Sequence, residues 1–237
     1  MKTRVAVLGA RGRVGSAIVA AAEKSGDVEV FGVNRGDELR SESFDVLIDV
    51  SHPDATAAAL QTRKPLVIGT TGHSDQQRRE IEQAAQVVPI VLAPNFSVGV
   101  NTLFWLTRKA AELLGEGFDL EIVETHHRLK KDAPSGTAKR LAEVLCEVRG
   151  WSYESEMAHG RAGLIGERPA RQIGMHAVRA GDVVGEHTVI FAGTGERVEL
   201  THRASSRDTF ACGALRAARW VIGKAPGLYS MEDVLGL

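Results

Sequence analysis

The sequence predicts an α/β protein in two parts: a doubly wound parallel sheet over the first ninety-odd residues, then an α+β part with a mixed open sheet. Three observations predict it. Short apolar runs recur between residues 4 and 96 (RVAVLG, VEVFGV, DVLIDVS, PLVIGTT and PIVLAPNF), each followed by polar or helix-like sequence. Val- and Ile-rich runs of that length, separated by helical segments, read as buried parallel strands in βα units. Three glycines follow the first run at regular spacing. After NFSVGVN the texture changes, and residues 171 to 204 read as strands.

Taken in order, the clearest helices of the first part span 14 to 25, ending before Gly26, and 74 to 86, opening with Ser74 and Asp75 as a cap. A helix over 98 to 114 carries Val98, Leu103, Leu106, Ala110 and Leu113 at helical spacing, and DLEIVETHH then reads as a strand. Residues 136 to 149 form another helix, with Ala138, Leu141, Ala142, Leu145 and Val148 as its apolar stripe and Gly150 as its stop. The polar, Gly-rich stretch 151 to 170 reads as a long loop, a functional lid or an interface arm. QIGMHAVRA, VVGEHTVIFAG and ERVELTHRAS read as strands joined by short Gly-containing turns at 181 and 193. A last helix from 208 to 223 and a short tail complete the chain.

A formal net charge of -1, from 29 basic and 30 acidic side chains, argues against a general affinity for nucleic acid or acidic membranes and leaves room for a local anion pocket. The two cysteines, Cys146 and Cys212, belong to no metal or redox pattern and predict packing positions in a reducing compartment. No apolar stretch reaches the roughly 20 residues of a membrane span. The N-terminus leaves no room for a signal peptide, so the expectation is a cytoplasmic protein.

In VLGARGRVGSAI, Gly9, Gly12 and Gly15 lie between the first strand and the first helix. There a backbone must approach a pyrophosphate closely while a helix N-terminus offers free N–H groups, which predicts a Rossmann-like dinucleotide site. Arg11 and Arg13 suit an anion on that loop. Coenzyme choice belongs at the end of the second strand, where Asn34 and Arg35 stand: no carboxylate at 34 repels a 2′-phosphate, and Arg35 can pair with one, so NADPH is expected to be usable.

The densest chemistry lies in ETHHRLKKDAPSGTAKRL, residues 124 to 141. Pro134 keeps the preceding chain extended and Ser135 takes the N-cap position, which puts Gly136 and Thr137 in the first turn, where N–H groups lack helical partners and a docked carboxylate would find donors. The turn at 132 to 134 brings His126, His127, Lys130 and Lys131 towards that end, making an anion pocket. His126 and His127 point to opposite sides of an extended segment, and which one lines the pocket stays open. Metal ligation by the histidine pair lacks a third ligand at a known spacing.

EIVETHHRLKKDAPSGTA resembles the signature of the 4-hydroxy-tetrahydrodipicolinate (dihydrodipicolinate) reductase family. GARGRVG, VIGTTG at 67 to 72, APNFSVGVN at 93 to 101 and the stretch from VRAGDVVGEHT to ALRAA extend the resemblance over nearly the whole chain. It implies NAD(P)H-dependent reduction of a cyclic dicarboxylic imine in the diaminopimelate route to lysine. It also implies a dinucleotide-binding domain of residues 1–97 and 207–237, to which the C-terminal helix returns, and a substrate-binding and tetramerisation domain of residues 98–206. Carried over by motif, His126 and Lys130 take proton-donor roles, while His127, Lys130, Ser135, Gly136 and Thr137 hold substrate carboxylates, with Arg207 in SSRDTF as a further candidate. Gly9, Ala10, Arg11, Gly12, Arg13 and Val14, then Gly69, Thr70 and Thr71, and Ala93, Pro94, Asn95 and Phe96, line NADPH or NADH beside Asn34 and Arg35.

The chain departs from many members of that family at NRGDELRSESF, which is short, and at Asn34, where an acidic residue is common; both touch coenzyme preference. Two other readings compete. A semialdehyde dehydrogenase usually requires a reactive thiol, and a coenzyme-binding regulator has no use for HHRLKKDAPSGT and shows no DNA-binding motif.

Overall fold

A computed structural model describes residues 2–34 and 36–237. By its internal contacts the chain divides into two units, residues 1–101 with 207–237 and residues 102–206.

In the first unit, strands β1 (Thr3–Leu8), β2 (Val28–Val33), β3 (Val46–Asp49), β4 (Leu66–Ile68) and β5 (Pro89–Leu92) alternate with helices α1 (Arg13–Ser25), α2 (Pro53–Gln61) and α3 (Asp75–Ala84). All pair in parallel, and β3 and β4 are buried throughout, as strands covered on both faces must be. Ser74 closes α3 with a full capping box to Gln77. The chain's end is more than a tail. Helix α7 (Asp208–Val221) packs on the sheet, β11 (Gly227–Tyr229) adds a parallel strand beyond β5, and α8 (Met231–Leu235) follows, giving the order β11-β5-β4-β3-β1-β2. One core gathers Ile18, Val67, Val91, Ala214 and Val221 on the α1 and α7 side; the other gathers Leu47, Ile68, Ile81 and Ile90 on the α2 and α3 side. Gly213 is required: a Cβ there would stand 1.8 Å from the Phe96 carbonyl oxygen, so α7 can lie directly on the 93–97 loop.

Helix α4 (Val98–Leu114) leads into the second unit, built on β6 (Asp119–His126), α5 (Gly136–Arg149), β8 (Ile173–Arg179), β9 (Gly185–Ala192) and β10 (Arg197–Ala204). With β7 (Met157–His159) at one edge, the sheet order is β10-β9-β6-β8-β7. The turn at 181 therefore does not close a hairpin: β6 lies between β8 and β9, parallel to the one and antiparallel to the other. Leu120, Ile122, Met175, Val189 and Phe191 are buried, as are Ala138, Leu141, Ala142 and Leu145 of the α5 stripe, while Val148 is half-buried.

The stretch 151–170 is also not simply a loop. It holds a short helix α6 (Tyr153–Glu156) and a strand β7 (Met157–His159) that pairs with β8, and a carboxylate pins the remainder. Glu121 accepts two hydrogen bonds from Arg161 at 3.0 and 2.9 Å, one from Arg168 at 3.0 Å and a contact from His176 at 2.8 Å. Burial opposes the charge, but Arg161, His176 and Arg168 outweigh it and hold the carboxyl down to about 2. Across the β6–β8 register the facing residue is Gly174, where a Cβ would meet the Glu121 carboxylate at 1.7 Å. Cys146 is buried, and burial with nearby carboxylates pushes its thiol up to about 11, whereas Cys212 is exposed rather than packed.

Candidate active site

The first unit carries two adjoining cavities at the C-terminal ends of its strands. Gly9 has φ +86°, and a Cβ on it would stand 2.8 Å from Val50 O; one on Gly15 would stand 2.2 Å from Gly9 O. The turn thus closes only with glycine. Gly12 is the N-cap of α1 and gives no side-chain cap, and no acidic residue stands in the first turn, so the helix end presents bare donors and a positive dipole end. Beside it a cavity of about 770 Å³ is lined by Gly9, Arg11, Gly12, Asn34 and the 50–55 segment. A second, of about 440 Å³, is lined by Val14, Pro53, Gly69 to Gly72, Pro94 to Phe96 and Phe210, with residues 50–52 shared between the two.

Of the residues expected around a coenzyme, Gly9, Arg11, Gly12, Val14, Asn34, Gly69, Thr70, Thr71, Pro94, Asn95 and Phe96 line these cavities, while Ala10, Arg13 and Ala93 do not. Arg35 lies outside the described residues. Asn34 serves the loop: its Oδ1 accepts from the Arg11 N–H at 3.0 Å, and its own N–H donates to Asp37 at 2.8 Å. Sequence reasoning missed the 50–55 segment and what holds it. Asp49, fully buried at the end of β3, accepts from Ser51 Oγ at 2.5 Å, Thr70 Oγ1 at 2.9 Å and Thr56 Oγ1 at 2.7 Å, locking two lining loops to one carboxylate. The signal was present in DVS and GTT, short hydroxyl residues directly after two strands.

The second unit holds the cationic site. Ser135 caps α5, its Oγ accepting from Ala138 N at 3.2 Å, and no acidic residue stands in the first turn. Gly136 and Thr137 follow in its first turn, at the positive end of a 14-residue helix. Lys130 donates to both oxygens of Asp132 at 2.9 Å, which sets its ammonium on the 127–134 turn. His126 and His127 are both half-buried, whereas Lys131 is exposed. Arg207 stands at the start of α7, in the first unit, and is exposed.

Behind these lie three side chains that the sequence did not point to. Glu124, fully buried, meets His126 Nδ1 at 2.5 Å, accepts from Ser135 N at 3.1 Å and takes a two-pronged bond from Arg179 at 2.9 and 2.8 Å. Burial works to raise its pKa; Arg179, His126 and Ser135 overcome that and hold it below the ordinary carboxylate range. His187 Nε2 lies 3.0 Å from Ser135 Oγ, and its ring stands edge-on to His126 with centroids 5.2 Å apart. Burial, with the neighbouring His126, pushes His187 down to about 3, so it is neutral at physiological pH. For His126 burial dominates: it and the Lys130 and Arg179 charges outweigh Glu124, and the imidazole titrates below its ordinary value.

A glycine-only βα turn on a parallel sheet, with a serine-capped cationic helix end on a separate mixed sheet, defines the class of two-unit α/β dehydrogenases and reductases. Family models for the N-terminus and C-terminus of dihydrodipicolinate reductase match residues 33–96 and 99–235. The chain belongs to the dihydrodipicolinate reductase family. It is 56% identical over 240 residues to the 4-hydroxy-tetrahydrodipicolinate reductase of Akkermansia muciniphila, covering 98% of each chain, and 46% identical over 265 residues to that of Hahella chejuensis, covering 99% of each. The solved structure of dipicolinate-bound dihydrodipicolinate reductase from Paenisporosarcina sp. TG-14 matches with a TM-score of 0.77 at 26% identity, over 98% of this chain and 99% of that one. No helix of the described residues is long and apolar enough to cross a membrane.

Proposed function

We propose that the protein reduces 4-hydroxy-tetrahydrodipicolinate, or its dehydrated form dihydrodipicolinate, to tetrahydrodipicolinate in the diaminopimelate route to lysine, using NADPH or NADH. The observation that carries this reading is the α5 end, a serine-capped helix N-terminus with no acidic residue in its first turn, tied through Glu124 to His126 and through Arg179 to the turn that carries Lys130.

The turn at Gly9 to Gly15 fits a dinucleotide, because its bare donors and the absence of Cβ atoms let a pyrophosphate approach. Gly9 to Val14, Gly69 to Thr71 and Ala93 to Phe96 would hold the coenzyme in residues 1–97 and 207–237, with Asn34 and Arg35 on the ribose side. When bound, the coenzyme supplies a hydride. The substrate belongs to residues 98–206, where His127, Lys130, Ser135, Gly136 and Thr137 take its carboxylates, with Arg207 as a further contact. Reduction consumes a proton as well as a hydride, and His126 and Lys130 provide it. A bound dianion favours their charged forms, and a positioned acid contributes about 10²- to 10⁴-fold.

The open face of the second sheet, with Val123, Thr188, Ile190 and Thr201 on alternating positions, is assigned to a homotetramer in the cytoplasm; a sedimentation mass of one chain would remove that assignment. The reaction is tested by following NADPH and NADH oxidation while an upstream synthase makes the imine from pyruvate and aspartate semialdehyde. Synthase-dependent oxidation is expected. Coenzyme binding without oxidation would overturn the reading.

A further inference from the structure

We infer that Glu124 is the positioning residue of this site, joining the proton donor His126 to the carboxylate-holding end of α5 through one buried charge. The inference rests on the reading of His126 as proton donor, but its geometry is independent of it.

An ionised carboxylate only accepts hydrogen bonds. Each group on Glu124 must therefore be a donor: the Arg179 guanidinium twice, the Ser135 backbone N–H, and His126 Nδ1. His126 is thereby fixed with its proton on Nδ1, which leaves Nε2 as the atom that gains and gives up a proton. In turnover the Nε2–H bond breaks, its proton passes to the reduced substrate, and the ring stays neutral with Nδ1–H on Glu124. The fold keeps Nε2 clear, because the facing residue on β9 is Gly185, where a Cβ would come within 3.1 Å of Nε2.

The other oxygen of Glu124 orients the N-cap residue itself. Ser135 N bonds to Oε1, and Ser135 Oγ bonds to His187 and Ala138, so the helix end and the imidazole share one frame. Arg179 extends that frame by donating to the Asp132 carbonyl at 2.6 Å, on the turn that carries Lys130. The groups facing His126 are thus Glu124 on its own strand, Arg179 at the end of β8, His187 on β9 and Lys130 on the turn. Glu124 is the one anion among them. Without its charge, burial and two cations act on the imidazole unopposed.

The test is nitrogen-detected NMR of the histidine side chains in the intact enzyme, with His126 assigned from His126→Gln, beside the kinetics of Glu124→Gln. In the unsubstituted protein His126 should be the Nδ1–H tautomer at neutral pH; the Nε2–H tautomer would overturn the inference whether or not any variant folds. In Glu124→Gln the His126 titration should move to lower pH and kcat should fall about 10²-fold with the Kd for NADPH retained. An unmoved titration, or an unchanged kcat and pH profile, would overturn it. Full imine reduction by His126→Gln, with the tautomer as expected, would instead remove His126 as donor and leave the Glu124 coupling standing.

Discussion

Two helices of this molecule, α1 and α5, begin without an acidic residue in the first turn, and they do so in different ways. The N-terminus of α1 is bare, with a glycine N-cap and a turn so tight that Gly15 is packed against the Gly9 carbonyl. That of α5 is furnished: Ser135 closes one donor, a buried carboxylate holds Ser135, and lysine and histidine stand beside it. The helices α3 and α8 give the reference, since each seals its first turn with a full capping box of its own side chains. A helix that only builds the fold satisfies its own donors. Helices α1 and α5 carry neither a capping box nor an acidic first turn, and what surrounds each positive end is what sets the two apart.

That contrast predicts different sensitivities at the two ends. Lys130→Ala strikes the furnished end, and turnover should fall on the order of 10²-fold with weaker substrate saturation and an unchanged Kd for NADPH; normal turnover would strip the α5 end of its chemical role. Gly15→Ala strikes the bare end. Its methyl meets backbone, and overpacking of about 1–3 kcal/mol should weaken coenzyme binding by roughly tenfold or more, read by fluorescence titration. The matching change Gly136→Ala should leave that titration unmoved, because a Cβ there meets nothing within 4 Å. If both glycines behave alike, the two ends are not built differently.

Ser135→Ala removes the cap and should cost about 1 kcal/mol, seen as a lower Tm. The smallest effect is expected from Asn34→Asp, which keeps the acceptor for Arg11 N and adds an exposed charge: NADPH should lose about two- to fivefold in kcat/KM relative to NADH. An unchanged ratio would move coenzyme choice away from position 34.

Much of this was legible in order along the chain. Each Val- and Ile-rich run became a parallel strand, the central ones because burial on both faces demands that composition, and Ser74 and Ser135 announced their helices through capping chemistry. The place of β6 between β8 and β9 was not legible, since the glycine turn at 181 carries only local information while the pairing spans more than fifty residues. Strand β11 is three residues long, too short for any period to register. At the site, Lys130, Ser135 and Gly136 lie in one stretch and read as a motif. Glu124, Arg179 and His187 come from three strands and meet only once the sheet is formed. The DVS and GTT hydroxyls needed Asp49 between them before they meant anything.

The close seat of α7 on the 93–97 loop has a consequence in time as well as space. The ribosome delivers residues 102–206 as an unbroken run, while the first unit is written in two instalments with that run between them. Until residues 207–237 emerge, the first 101 residues wait with Val67 and Val91 lacking the helix that covers them. The part of the chain made last to appear completes the part that appeared first.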